Sequence, residues 1–475
     1  MSVSRSSQRP PNVLWLMTDE QRTDSLGCYA SPWASSSPWA RTPNLDRLAR
    51  EGARFRHAIT PAPVCVPART SIMTARPPHE TGVWYNVPPV GILDLLTTRF
   101  ADAGYRTASF GKRHYASTNG GFQTEKVFEV NDIVNYYAYA DQYDESAHDV
   151  VKYPPKPYPW IFGGRYPATP ETTVEARATQ LALDWLDTVQ SDEPFLLRVS
   201  FNGPHTPVVP PAPFDTLIDE DAIALPPETE STPRRLPRWL RDGLFPKADA
   251  SRLTRAQIRK IRRYYYGEVA FLDQLFGRII DLLERRGVLD DTIVILTSDH
   301  GTHLGDYGMV QKQTFFPPSV EVPFLIRYPR TIPSGCVFEN PVETLSLLPT
   351  ALDLAGLEVP DHATHLSLAP ALRSGMEPVR RPVFSEFTLG SFEVNPDDRI
   401  VMVRARDERR DGGNGDEWQL SVCLNGAFHQ GDALDGELHN LTADPYQLDN
   451  RYGMPEHAAV ESWLRGLIDA RLTRV

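Results

Sequence analysis

The sequence predicts an α/β fold, in which a large, mostly parallel sheet is sandwiched by helices and followed by a smaller C-terminal antiparallel sheet plus helix. Three observations carry this. Short apolar runs alternate with longer stretches of helical period, the order that builds a parallel sheet covered on both faces. Most of these runs end in polar, chemistry-bearing residues. Beyond about Arg380 the pattern changes to short alternating strands and one last helix. At 475 residues the chain has room for both parts, expected as a catalytic domain over 1–380, with tyrosine- and proline-rich lid insertions, and an α+β subdomain over 381–475.

Taken in order, Val13–Thr18 reads as a buried strand ending in Asp19 and Glu20. Carboxylates at the C-terminal edge of a parallel sheet sit where α/β folds place ligands. Thr42 and Pro43 start a helix, as N-cap and first position, and Gly52 closes it. The stretch Val64-Cys65-Val66-Pro67-Ala68-Arg69-Thr70 turns a loop into a helix. Proline is tolerated in a first turn, and Arg69 falls one turn after Cys65 on the same face. A helix N-terminus with an added guanidinium is an anion site and activates a thiol-derived nucleophile. Taken alone, the C-x-P-x-R spacing fits a buried cysteine beside a helix-start proline equally well.

Ile92–Ala103 is expected as a helix, and Arg106–Phe110 as a strand delivering Lys112, Arg113 and His114. Thr172–Val189 is a helix, and Phe195–Phe201 a strand running into Asn202-Gly203-Pro204-His205. The clearest helix carries Ile258, Ile261, Tyr265, Val269, Leu272, Phe276, Ile279 and Leu283 at helical spacing and ends at Gly287. Thr292–Thr297 is a strand leading to Ser298-Asp299-His300-Gly301. A strand over Pro323–Tyr328 and a helix over Glu343–Ala355 follow, then strands Arg399–Arg404 and Trp418–Cys423 and a helix His457–Ala470. The irregular segments Asn135–Pro170 and Thr206–Arg241, with Trp84, Asn86 and Tyr264–Tyr266, are expected as specificity surfaces.

A hydrophobic fraction of 41% is that of a globular chain, and a net charge of −12 argues against nucleic acid or an anionic membrane as partner. An anionic substrate must then be drawn in by a local cationic pocket. The four scattered cysteines, Cys28, Cys65, Cys336 and Cys423, form no disulfide framework and fit a reducing compartment. The N-terminus is polar, Val13–Met17 is too short for a signal-peptide core, and no apolar run has membrane length. A cytoplasmic address is expected, and oligomeric state is open.

The polar residues past the strand ends divide into three jobs. Asp19, Glu20, Asp299 and His300 supply mainly hard oxygen donors, which suit Ca²⁺, Mg²⁺ or Mn²⁺ better than zinc. Cys65, or what it becomes, is the nucleophile. Arg69, Lys112, His114, His205 and Lys312 are the cations and proton carriers around it. An oxyanion held between a divalent metal and several cations, with histidines at hand, is a site for displacement at sulfur or phosphorus.

The Cys65–Arg69 motif resembles the signature of the type I sulfatases of the alkaline phosphatase superfamily. Gly104–His114 is similar to their second signature. Ser298-Asp299-His300-Gly301 with Gly305-Asp306 and Lys312 is similar to their metal and lysine segment, and Glu437-Leu438-His439-Asn440-Leu441 to their C-terminal part. The resemblance implies an alkaline phosphatase-like fold and a Cys65 oxidised to formylglycine by a separate formylglycine-generating enzyme. It implies one divalent metal, calcium ahead of manganese or magnesium, held by Asp19, Glu20, Asp299, His300 and the hydrated formylglycine. By the same likeness one hydroxyl attacks the sulfur of a small sulfate ester with Asp299 as base, and His205 and Lys312 assist the leaving oxygen. His114 then deprotonates the second hydroxyl to expel sulfate, while Arg69 and Lys112 hold the formylglycine oxygens. Departures are Glu20 where aspartate or an amide is usual, Val66 and Ala75 in the motif, and Arg113 before His114. A phosphonate monoester or phosphodiester hydrolase of the same superfamily is the rival reading, although such enzymes generally lack the Lys112–His114 pair.

Overall fold

Asn12–Thr18 (β1) lies at the centre of an eight-stranded sheet, and every one of its residues is buried. In the computed structural model, which describes residues 9–29, 39–128, 148–153, 160–225, 235–389, 398–409, 415–425 and 435–473, the chain continues through Pro43–Glu51 (α1), Ala53–Phe55 (β2), Cys65–Thr74 (α2), Arg106–Gly111 (β3) and Thr124–Val127 (β4). Val174–Thr188 (α3), Phe195–Ser200 (β5), Arg255–Arg285 (α4), Thr292–Ser298 (β6), Phe324–Arg327 (β7) and Cys336–Phe338 (β8) complete the main layer. The strand order is β8-β2-β7-β6-β1-β5-β3-β4. All neighbours pair in parallel except that β7 runs antiparallel to both β6 and β2.

Alternation along the central strands sends side chains to two separate cores. Leu14, Leu16, Leu197, Val294 and Leu296 pack with Leu186 of α3 and Val269, Leu272, Phe276 and Ile279 of α4. Val13, Trp15, Ile293 and Ile295 pack on the other side with Ile72 and Met73 of α2 and with Leu347 and Leu348. The sheet is thus sandwiched, and polar residues are left to its C-terminal edge.

The smaller sheet is antiparallel throughout, in the order Val383–Thr388 (β9), Arg399–Arg406 (β10), Glu417–Cys423 (β11) and Gly436–Asn440 (β12). Ala458–Leu472 (α5) covers one face through Val460, Leu464 and Ile468 against Val401, Val403 and Leu420. The other face, with Ile400 and Met402, meets Trp239, Tyr307, Phe315 and Phe316 of the main layer.

Three local expectations are corrected. The helix over Ile92–Ala103 is confined to Thr98–Asp102, because the preceding backbone amides bond elsewhere: Val90 N–H to Ala116 O, Leu93 N–H to Ser117 Oγ and Leu96 N–H to Met73 O. The hydroxyl of Thr42 donates to Asp46 instead of capping α1. The start of α1 is held from α4, where Asp273 accepts from the amides of Asn44 and Leu45 at 3.2 and 2.8 Å. Tyr264, Tyr265 and Tyr266 are buried and offer no specificity surface. Of the expected lid segments, 135–147, 154–159 and 226–234 lie outside the described residues. Among the described residues no helix is long and apolar enough to cross a membrane.

Candidate active site

The C-terminal ends of β1, β3, β5 and β6 open onto one buried pocket. β1 delivers Asp19 and Glu20, β3 delivers Lys112 and His114, β5 leads to His205, and β6 to Asp299 and His300. Across from them α2 begins at Cys65, its first helical bond running from Ala68 N–H to Val64 O at 3.0 Å. The free amide of Val66 in that first turn is taken by Asn86 Oδ1 at 2.9 Å.

Several non-glycine residues here hold left-handed backbone, with φ of +60° at Glu20, +46° at His114, +74° at Gln311 and +73° at Gln313. Such conformations persist only where surroundings over-determine them. At Glu20 the amide donates to Asp299 Oδ1 (3.3 Å) and the carbonyl accepts from the Tyr265 hydroxyl (2.7 Å).

The Cys65 Sγ lies 3.1 Å from Lys312 Nζ, 3.2 Å from His300 Nε2 and 3.8 Å from Asp19 Oδ1, and His114 is near enough to interact with it electrostatically. Lys112 Nζ is 2.6 Å from Asp19 Oδ2. Lys312 Nζ is 2.8 Å, and His205 Nε2 3.3 Å, from Glu20 Oε1. Arg69, placed by the sequence beside the nucleophile, turns its guanidinium to the carboxylates: Nε reaches Asp299 Oδ2 at 2.6 Å and Nη2 reaches Asp19 Oδ2 at 3.1 Å. Every site residue singled out from the sequence is therefore brought into this one pocket. Glu20 groups with Asp19 and His205, whereas Asp19, Cys65, Asp299 and His300 form a second group.

The charges reinforce one another. Burial and Asp19 push the Cys65 thiol up, but Lys312, Lys112 and His300 outweigh them and hold it well below its ordinary value. Burial raises Asp19, yet Lys112, His205, Arg69 and Lys312 pull its carboxyl well below the usual range. Burial pushes Asp299 up to about 6 in spite of Arg69. Burial lowers His300, but the Asp299 carboxylate raises it to about 9. Burial holds His114 below the usual imidazole value, so it is neutral near pH 7 and able to accept a proton.

One divalent cation fits the second group. His300 Nε2 stands 3.9 Å from Asp19 Oδ1 and 3.8 Å from Asp299 Oδ1, too far for hydrogen bonds yet suited to donors sharing one ion. The other ring nitrogen, Nδ1, faces Gly301 O at 2.9 Å, which fixes a proton there, so that a cation displacing the proton of Nε2 would find that nitrogen as its donor atom. Two carboxylates in a fully buried group with one imidazole favour a hard cation.

Sequence reasoning missed several supporting groups. Ser200 Oγ accepts from Arg69 at 2.9 Å, and Tyr265 ties the backbone at Glu20 and Arg22. Thr206 Oγ1 accepts from Gln311 and donates to Glu20 Oε2 at 3.5 Å. Gln311 and Gln313 flank the recognised Lys312, the one signal that pointed to them. Asp306, in the recognised segment, is structural: it takes Arg22 and Arg262 at 2.5 and 2.7 Å behind the site.

A buried thiol held well below its ordinary pKa at a helix start, ringed by cations and backed by metal-competent carboxylates, suits hydrolytic displacement at a tetrahedral oxyanion ester. Comparison with known proteins narrows the class. The Sulfatase family model matches residues 11–357, and the chain belongs to that family and is a sulfuric ester hydrolase. It is 28% identical over 474 residues to a choline-sulfatase of Rhizobium meliloti, covering 97% of this chain and 86% of the relative. Among solved structures, a phosphonate monoester hydrolase from Silicibacter pomeroyi superposes with a TM-score of 0.77 at 23% identity, covering 98% of this chain and 96% of that one. BT4656 in complex with its substrate D-glucosamine-2-N,6-O-disulfate superposes at 0.72 and 22%, covering 97% of each. The fold is thus the alkaline phosphatase-like one of the sulfatases, as the sequence led us to expect.

Proposed function

We propose that the chain hydrolyses a small sulfate monoester by way of a formylglycine made from Cys65, installed by a separate modifying enzyme. The observation that carries this reading is the placement of Cys65 at the first position of α2 with Lys312 and His300 at 3.1 and 3.2 Å. The hydrated aldehyde offers two hydroxyls on one carbon. One attacks sulfur, Asp299 takes its proton, and the ester oxygen leaves as an alcohol with a proton from His205 or Lys312. Neutral His114 then takes the proton of the second hydroxyl, the carbon–oxygen bond to the sulfated oxygen breaks, sulfate departs and the aldehyde returns. A serine at this place would form a stable ester and need a separate water. Asp19, Asp299 and His300, with the converted residue, would hold the divalent cation. Calcium is favoured by the donor set, with manganese or magnesium next, and the cation supplies charge neutralisation on the transferred group. Arg69 orients both carboxylates, and Lys112 neutralises Asp19. A cytoplasmic address belongs to the proposal, supported by Cys28, Cys65, Cys336 and Cys423, none of which is in a disulfide.

The second reading, a phosphonate monoester hydrolase, is favoured by the fold match at 0.77, and the Lys112–His114 pair weighs against it. Peptide mass spectrometry of active enzyme decides the central point. We expect the Cys65 peptide to carry the aldehyde in place of the thiol. Fully active protein holding only unmodified Cys65 overturns the mechanism.

A further inference from the structure

Two buried carboxyl groups stand behind His205, outside the set that faces Cys65. Glu175 comes from α3 and Glu268 from α4, on the helical layer opposite α2, and both are buried. Glu175 Oε1 accepts from the amide of Gly203 at 3.3 Å, and Glu268 Oε2 from the amide of Val209 at 2.8 Å. These amides bracket the Asn202–Val209 loop that carries His205. A Cβ on Gly203 would meet Glu268 Oε1 at 2.5 Å, so glycine is what lets the loop lie against this carboxyl. The Gly203 carbonyl in turn accepts from the amide of Asp19 at 3.2 Å, which links the loop to β1.

The His205 ring itself is bonded within its own loop, its Nδ1 lying 2.6 Å from Thr206 O, while Nε2 points to Glu20. Its position is therefore inherited from the loop backbone. Carboxyl groups in an otherwise apolar layer are costly, and two as neighbours more so. Burial raises both, and Glu175 raises Glu268 further. Packing alone would be served better by leucine. What the acids add is acceptors for two amides at the ends of one loop.

We infer that Glu175 and Glu268 are positioning residues for the leaving-group step: they clamp the 202–209 loop so that His205 Nε2 stands at the ester oxygen. This rests on the reading of His205 as the group that assists departure of the alcohol. Such assistance matters most for a poor leaving group, which supplies a signature that loss of stability does not.

The test compares phenyl sulfate with 4-nitrophenyl sulfate in metal-loaded, modified enzyme. Glu268→Ala is expected to lower kcat at least about 30-fold on phenyl sulfate and less than about threefold on the nitrophenyl ester, with KM and metal content unchanged. Glu268→Gln keeps an oxygen for the Val209 amide and restores kcat on phenyl sulfate to within about threefold. Added to His205→Ala, Glu268→Ala has no further effect beyond about twofold, since it acts only through that histidine. Should Glu268→Ala not fold, Glu268→Asp, which withdraws the acceptor by one methylene, replaces it with the same leaving-group dependence expected. Equal losses on both esters, or additive losses in the double variant, overturn the inference while leaving His205 in its role. If His205→Ala itself affects both esters alike, the reading of His205 falls, and the inference falls with it.

Discussion

Lys312 Nζ and Glu20 Oε1 are paired at 2.8 Å beside Cys65, and Lys312 reaches the Cys65 Sγ from the same position at 3.1 Å. Burial lowers Lys312, but Cys65, Glu20 and Asp19 raise its pKa well above the ordinary value, so it stays an ammonium through neutral pH. Glu20 pairs with Lys312 as Asp19 pairs with Lys112 at 2.6 Å: each carboxylate fixes one cation near Cys65. Glutamate instead of aspartate has the reach for this, because Oε1 also meets His205.

Glu20→Gln is therefore expected to lower kcat about tenfold or more by freeing Lys312 and His205, while metal stays stoichiometric. Metal analysis alongside kinetics checks this. Loss of the metal would make Glu20 a ligand instead.

Asp299 carries the opposite expectation. Asp299→Asn keeps an oxygen for Arg69 Nε, so it avoids leaving a buried guanidinium without an acceptor, a fault that typically costs about 3–5 kcal/mol. It removes a charge from the group Asp19, Cys65, Asp299 and His300. We expect a folded protein by near-ultraviolet circular dichroism, with metal and turnover both lost. Stoichiometric metal in that variant would move the centre elsewhere.

Most of the pocket was legible because strand–loop–helix order exposes its C-terminal edge: Asp19, Lys112, His205 and Asp299 all follow apolar runs. The helix start at Cys65 was legible from the proline two residues on. What stayed hidden depends on contacts distant in sequence. Arg69 faces two carboxylates from other strands, and nothing in its own helix shows that. Asp273 caps a helix it does not belong to, and Glu175 and Glu268 come from two helices to converge on the 202–209 loop. The expected helix at Ile92 was misjudged for the same reason, since its amides are claimed by residues 73, 116 and 117.

Acid sensitivity should have an identifiable source in His303. Its ring is buried, with Nε2 2.7 Å from Thr314 Oγ1, and burial pushes its pKa down to about 4. The folded value lies below the unfolded one near 6.5, so the unfolded chain binds the proton first. The contribution is whole above pH 6.5 and is lost as pH falls towards 4, by about 2 kcal/mol at pH 5. Asp306 beside it is depressed well below the usual range and stays ionised through this window. Urea unfolding of His303→Gln at pH 7 and pH 5 should show a drop smaller than wild type by that amount. Equal drops in the two proteins refute the assignment.

Discrimination between sulfate and phosphonate esters follows from charge. A sulfate monoester, a phosphonate monoester and a phosphodiester each bring one negative charge on a tetrahedral centre. A phosphate monoester brings nearly two at neutral pH. Arg69, Lys112 and Lys312 with a divalent cation, set against Asp19, Glu20 and Asp299, accept the singly charged esters alike, so shape must separate them. The Lys112–His114 pair favours sulfate on the mechanism proposed above, in which His114 would be the base that empties the site. We expect an aryl phosphonate monoester to be turned over about 10–200-fold more slowly than the matching aryl sulfate, the range that shape without charge discrimination spans. In His114→Ala the first step keeps its nucleophile and cations and the second loses its base, so a sulfated adduct on the residue-65 peptide should accumulate, visible by intact mass after rapid quench. The phosphonate reacting orders of magnitude faster than the sulfate would establish the phosphonate reading, and His114→Ala slowed without any adduct would place that histidine in the first step.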